Sequence, residues 1–91
     1  MESFEWDEAK AEANLTKHGI DFLDAALVFD NEARLDWFDD REDYEEDRFC
    51  TVGAVQGRII FVAYTIRADH IRLVSARRAS KKEREEYYGN R

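Results

Sequence analysis

With 91 residues, 44% hydrophobic and 13% aromatic, the chain can bury one core but not a second, and it is too apolar to be disordered throughout. The formal net charge is -7, proline is absent, and the single cysteine, Cys50, excludes a disulfide framework and a cysteine-based metal cluster. The longest apolar run, 59–64, is far too short to span a bilayer, and MESFEWDEAK has no signal-peptide pattern, so one domain over 1–91 in the cytoplasm is expected, without cofactor or metal.

The first segment, SFEW, reads as a short extended start. Asp7 can N-cap a helix through DEAKAEANLTKH, whose Glu8 suits the positive start and whose Lys17 and His18 suit the negative end. Gly19 supplies the left-handed residue on which such helices stop. A second helix is expected over 21–29, with Phe22, Ala25, Ala26 and Phe29 as its apolar stripe and Asn31 closing it.

From Ala33 the period changes from helix to strand. ARLDWF reads as a strand, DDREDYEED as a solvated acidic connection, and RFCTVGAVQ, RIIFVAYTI and IRLVSAR as three more strands, with a turn at Gly57. Ser80 and Glu83 form a capping box that opens a last helix through KKEREEYY. The expected fold is α+β: two N-terminal helices, a four-stranded antiparallel sheet and a C-terminal helix.

If the last two strands turn at Ala68-Asp69, paired residue numbers add up to 137, and paired residues share a face. Ile60, Val62, Tyr64, Ile66, Ile71 and Leu73 then form a core face, extended by Ser75 and Arg77. Arg67, His70 and Arg72 meet on the other face at the turn end, with Arg78 at its far end. An arginine that continues a buried face needs a partner or a ligand, because an unpaired buried charge is very costly.

Charge is distributed unevenly along the chain. Residues 1–47 carry 17 acids against four bases, whereas 67–91 carry eight bases against four acids. The arginines near one sheet end, with Lys81 and Lys82 at a helix N-terminus, suit an anionic ligand such as an RNA backbone, a nucleotide or a carboxylate-rich partner. No Gly-rich phosphate loop is present, which argues against nucleoside triphosphates. A metal-free ribonuclease needs a base for the ribose 2′-OH, positive charge for the phosphorane and an acid for the leaving oxygen. Arginines can supply the charge, and His18, His70, Lys17 or Glu46 the proton transfers. The competing reading is a non-catalytic binding module that grips a protein partner with its charged surfaces.

The segments WDEAKAEANLTKHGIDFLDA, EDRF and RIIFVAYTIRADHIRLVSARRASKKEREEY, in this order, resemble the BrnT family of ribonuclease toxins of type II toxin–antitoxin modules. The pattern W-D-x-x-K-x-x-x-N-x-x-K-H-G together with the ending S-A-R-x-A-S-x-x-E-R carries the resemblance. It implies a RelE-like fold, RNA cleavage that shuts down translation, and neutralisation by a BrnA-type antitoxin. The DNA-binding part of that antitoxin resembles ribbon-helix-helix repressors, so operator DNA is met only through the complex. By motif, the functional positions it implies are Lys17 and His18, Glu46 and Arg48, Arg67, and Arg77 with Arg78. His18, Glu46, Arg67 and Arg77 are the catalytic candidates, and Lys17, Arg48, Arg72, Arg78, Lys81 and Lys82 the RNA-binding ones. The acidic stretch DWFDDREDYEED departs from what an RNA surface wants, and it is expected to repel RNA if it lines the cleft.

Overall fold

In the computed structural model, which describes residues 3–41 and 45–89, the extended start is a strand of the sheet. This strand, β1 (Ser3–Glu5), lies parallel to the last strand, β5 (His70–Arg78), with Phe4 opposite Ile71 and Glu5 opposite Arg72. Between them in sequence come β2 (Leu35–Asp39), β3 (Arg48–Val55) and β4 (Arg58–Arg67). The sheet order is β1-β5-β4-β3-β2, so the expected four-stranded antiparallel sheet is a five-stranded mixed one. Three residues carry no alternation long enough to announce a strand, and their pairing depends on a partner some 67 positions away. Of the acidic connection, residues 42–44 lie outside the described residues.

Helix α1 (Glu8–His18) begins at Asp7, whose Oδ1 accepts from the Lys10 amide at 3.0 Å, and ends at Gly19 with φ of 71°. Helix α2 is shorter than expected. It spans Phe22–Ala25 and then tightens into a 3₁₀ turn, Ala26–Asp30. The reason lies in the spacing: Phe22, Ala25 and Val28 recur every third residue, the 3₁₀ period, and all three are fully buried. Helix α3 (Lys81–Gly89) opens with the expected capping box, Glu83 accepting from the Ser80 amide at 2.8 Å and Ser80 Oγ from the Glu83 amide at 3.1 Å. None of the described helices is long and apolar enough to cross a membrane.

Two apolar layers result. Helices α1 and α2 cover one face of the sheet, where Ile20, Phe22, Val28, Phe29, Ile60, Val62, Tyr64 and Leu73 pack together. Helix α3 covers part of the other face, Tyr87 and Ala79 packing with Cys50, Val52, Phe61 and Ala63. The rest of that second face is open.

Where β1 stops, the outer edge of β5 would expose its peptide groups. Asn14 of α1 takes the place of a strand there. Its side-chain amide donates to the Ala76 carbonyl at 2.9 Å and to the Ile20 carbonyl at 3.0 Å, and its Oδ1 accepts from the Ala76 amide at 3.0 Å. One buried carboxamide thus substitutes for a missing ladder partner and closes the loop after α1.

The β4–β5 hairpin turns at Ala68-Asp69, both in the left-handed region with φ of 48° and 69°, the geometry of the tightest hairpin turns. As expected, the pairs near the turn sum to 137, from Arg67–His70 to Tyr64–Leu73. Beyond Tyr64 the register shifts: Ala63 faces Ser75 and Phe61 faces Arg77. Val74 is a bulged residue, and every side chain after it moves to the opposite face. Arg77 therefore leaves the face it is expected to extend and lies with Phe61, while Ala76 takes the fully buried position in the helix-covered layer.

Gly53 of β3 packs directly against the 3₁₀ turn that follows α2 and against Asn31. A Cβ built there would stand 2.9 Å from Val28 Cγ2 and 3.0 Å from Asn31 Oδ1. Gly53→Ala is expected to destabilise the fold by about 1–3 kcal/mol through overpacking; a denaturant midpoint equal to that of the parent chain would contradict this packing.

Candidate active site

The bulge has a consequence for charge. Strand alternation puts Phe61, Ala63, Thr65 and Arg67 of β4 on the open face, and pairing adds Ser75, Arg72, His70 and, after the shift, Arg77 from β5. Arg67, Arg72 and Arg77 thus share one face, not two. Phe61 and Arg67 are six residues apart, about 20 Å along an extended strand. Arg67 and Arg72 form one locus, and Arg77 forms a second further along.

Each of these arginines is held by a carboxylate. Arg67 donates from Nε to Glu46 Oε2 at 2.9 Å and from Nη2 to Glu46 Oε1 at 2.6 Å. Arg77 grips Glu83 in the same two-pronged way, at 2.8 and 2.9 Å, and its guanidinium lies 4.0 Å above the centre of the Phe61 ring. Arg72 donates to Glu5 at 2.8 Å. The paired oxygens of a carboxylate occupy the fork that would otherwise receive two phosphate oxygens. Within the acidic stretch, then, Glu46 neutralises an arginine. Buried Asp39 does likewise, taking Arg41 Nε and Nη2 at 2.8 and 2.9 Å.

Electrostatics follow the contacts. The hydrogen bonds from Arg67 hold the Glu46 carboxyl below its ordinary value against the opposing effect of desolvation, with the charges of Arg67, Arg72 and Arg48 adding in the same sense as the hydrogen bonds. For Glu83, partial burial favours the neutral form, but the Arg77 and Ser80 hydrogen bonds and the Arg77 charge outweigh it and the carboxyl is also lowered. Burial and nearby Asp39 push the Cys50 thiol up to about 11, which keeps it protonated near neutrality and unsuited to attack.

Of the other candidates, Arg48 opens β3 opposite Asp39. By continuation of the β3–β4 register it sits beside Thr65 on the arginine face. Lys81 and Lys82 are exposed in the first turn of α3. Arg78, expected on the face of Arg67 and Arg72, is moved off it by the bulge: it pairs with Ile60 at the far end of the sheet. Lys17 and His18 are not brought to this locus, because they end α1, the helix that covers the opposite face. His70, by contrast, stands directly across from Arg67.

Two further residues of the open face carry no sequence signal as site residues. Trp37, 40% exposed, projects from β2 opposite Cys50, its ring centre 6.0 Å from that of Phe61, and offers a flat aromatic surface. Thr65, 1% exposed, stands between Arg48 and Arg72 in the register, and its hydroxyl finds no hydrogen-bond partner among the described residues. An alternating pattern marks both as strand residues, and only the register reveals the face.

The family model of BrnT, the ribonuclease toxin of type II toxin–antitoxin systems, matches residues 6–83, which contain every candidate named above. No curated protein matches the chain.

Proposed function

The chain belongs to the BrnT family of ribonuclease toxins of type II toxin–antitoxin systems, and we propose that it is a metal-independent endoribonuclease whose reaction is centred on Glu46 and Arg67. The observation that carries this reading is the two-pronged Glu46–Arg67 pair on a face lined with arginines. A phosphate entering the Arg67 fork displaces Glu46. Once that hydrogen bond is broken, the Glu46 carboxyl returns toward its ordinary value and becomes a better base. It then takes the proton of the ribose 2′-OH, whose oxygen attacks the adjacent phosphorus. Arg67 and Arg72 stabilise the charge that develops on the phosphorane, with no metal required for that role. His70, across the hairpin from Arg67, protonates the departing 5′ oxygen. Arg77 and the base-stacking surface of Trp37 hold the strand further along.

Of the catalytic assignments expected from sequence, this mechanism retains Glu46 and Arg67, gives Arg77 a binding role and has no role for His18. The partner is an antitoxin of BrnA type, whose ribbon-helix-helix-like part carries the complex to operator DNA. An acidic antitoxin segment has the chemistry to compete for the same arginine forks as RNA.

The test is the chemistry of the product ends. Attack by the 2′ oxygen leaves a 2′,3′-cyclic phosphate on one fragment and a 5′-hydroxyl on the other. Fragments ending in 3′-hydroxyl and 5′-phosphate would refute the mechanism.

A further inference from the structure

At the end of the β4–β5 hairpin remote from Arg67, a groove of about 360 Å³ opens between the Gln56–Gly57 turn and α3. Its lining includes Arg58, Arg78, Arg84 and Tyr88. These arginines differ from those of the candidate active site. Arg67, Arg72 and Arg77 each have a carboxylate partner, as do Arg34 and Arg41. Among the described residues none of Arg58, Arg78 and Arg84 is in an ion pair. The Arg84 guanidinium donates from Nη1 to the Ala79 carbonyl at 2.8 Å, which fixes it at the groove wall. Tyr88 is 57% exposed, with its ring braced edge-on against Tyr87 at 5.3 Å between centres.

Three uncompensated guanidiniums in one concavity form a site for phosphate oxygens, and an exposed tyrosine beside them forms a platform for a base. We infer that this groove is a second RNA subsite, which binds a backbone phosphate and a stacked base of the same strand that the Glu46–Arg67 locus cleaves. The exposed tyrosine beside the guanidiniums gives a face on which any base can stack, and that combination of phosphate fork and stacking platform is what favours RNA. The inference rests on the ribonuclease reading and extends it to a statement about length. Arg58 and Arg67 lie nine residues apart on β4, about 30 Å along the strand and on opposite faces of it, so a chain that reaches both must also round the end of the sheet. A stacked strand advances about 3.4 Å per nucleotide, so a trinucleotide cannot reach both loci whereas a twelve-nucleotide strand can.

The test uses fluorescently labelled 2′-O-methyl oligoribonucleotides, which cannot undergo 2′-oxygen attack, of three and twelve nucleotides. Binding is followed by anisotropy over a range of salt. Arg84→Ala is expected to weaken the twelve-mer about tenfold or more, the usual scale for one charge-assisted hydrogen bond, and to weaken the trimer, which occupies only one locus at a time, by less. The slope of log K against log salt for the twelve-mer should become shallower by about 0.7 for each phosphate that the variant no longer neutralises. Because Arg84 also bonds the Ala79 carbonyl, Arg58→Glu, in a turn-side position with no such bond, serves as the second variant and should act in the same direction. Parent-like affinity of both variants for the twelve-mer would overturn the inference and point to an acidic partner for the groove. Equal losses on trimer and twelve-mer would overturn it too, since the longer strand would then gain nothing from reaching both loci. A parent chain that binds neither oligonucleotide would count against the RNA reading itself, and so separates the two failures.

Discussion

Arg67→Ala is expected to slow RNA cleavage about 10²–10³-fold, the usual cost of removing one donor that stabilises developing charge. The loss should fall mainly on kcat, because charge on the non-bridging oxygens grows only as the phosphorane forms. The substitution also deletes the partner that holds the Glu46 carboxyl low, so Glu46 titrates nearer its ordinary value in the variant. That change alone would favour a base, and it leaves the arginine's own contribution as the dominant loss. Arg67→Lys retains the charge but not the two parallel donors, and should recover only part of the rate. Both residues of the pair are solvent-exposed, so the fold itself should survive, and the melting temperature should stay near that of the parent. Parent-like turnover in Arg67→Ala would remove this residue from the mechanism.

The largest stability effect is expected at Asn14. Its carboxamide satisfies the amide and carbonyl of Ala76 and the carbonyl of Ile20, all buried. Asn14→Ala strands one backbone donor and two acceptors where water has little access. At about 1–3 kcal/mol for a buried polar group left unsatisfied, a loss of about 3 kcal/mol or more is expected. For a domain this small such a loss is a large fraction of total stability. Asn14→Asp should fare little better, since a carboxylate can accept from Ala76 but cannot donate to either carbonyl. Equilibrium denaturation measures the effect, and a shift below about 1 kcal/mol would mean that the loop after α1 and the edge of β5 rearrange to satisfy themselves. This same asparagine stands in the W-D-x-x-K-x-x-x-N-x-x-K-H-G pattern. Its part in that pattern is structural: it ties the first helix to the last strand.

Much of the local structure is legible in the sequence because its causes are local. The Asp7 cap, the Gly19 stop and the Ser80–Glu83 capping box each involve residues within one turn of one another. The hairpin register is legible up to Tyr64 because a two-residue turn fixes it. Beyond that point it is not, because nothing in RLVSARR interrupts the alternation where Val74 bulges, and a one-residue slip exchanges the faces. Arg77 does need a partner, as its sequence position suggests, but the partners are Glu83 and the Phe61 ring on the other face. The candidate site is legible as a set of residue types and illegible as a place. Glu46 and Arg67 are 21 positions apart, and no periodicity joins a loop residue to the end of a strand. Charge alone likewise makes the acidic stretch repulsive to RNA, whereas in the fold Glu46 and Asp39 each meet an arginine. Lys17 and His18, attractive as a pair, belong to a helix end whose position is set by the packing of the opposite layer.

In the proposed mechanism this chain cleaves RNA with its own side chains, through the Glu46–Arg67 locus. Its most direct test is to incubate the purified chain with total RNA, with and without EDTA, beside Arg67→Ala, and to resolve the products on a gel, repeating the set with ribosomes present. Fragments that persist in EDTA and vanish with Arg67→Ala are expected. Cleavage abolished by EDTA, or undiminished in Arg67→Ala, would contradict the mechanism.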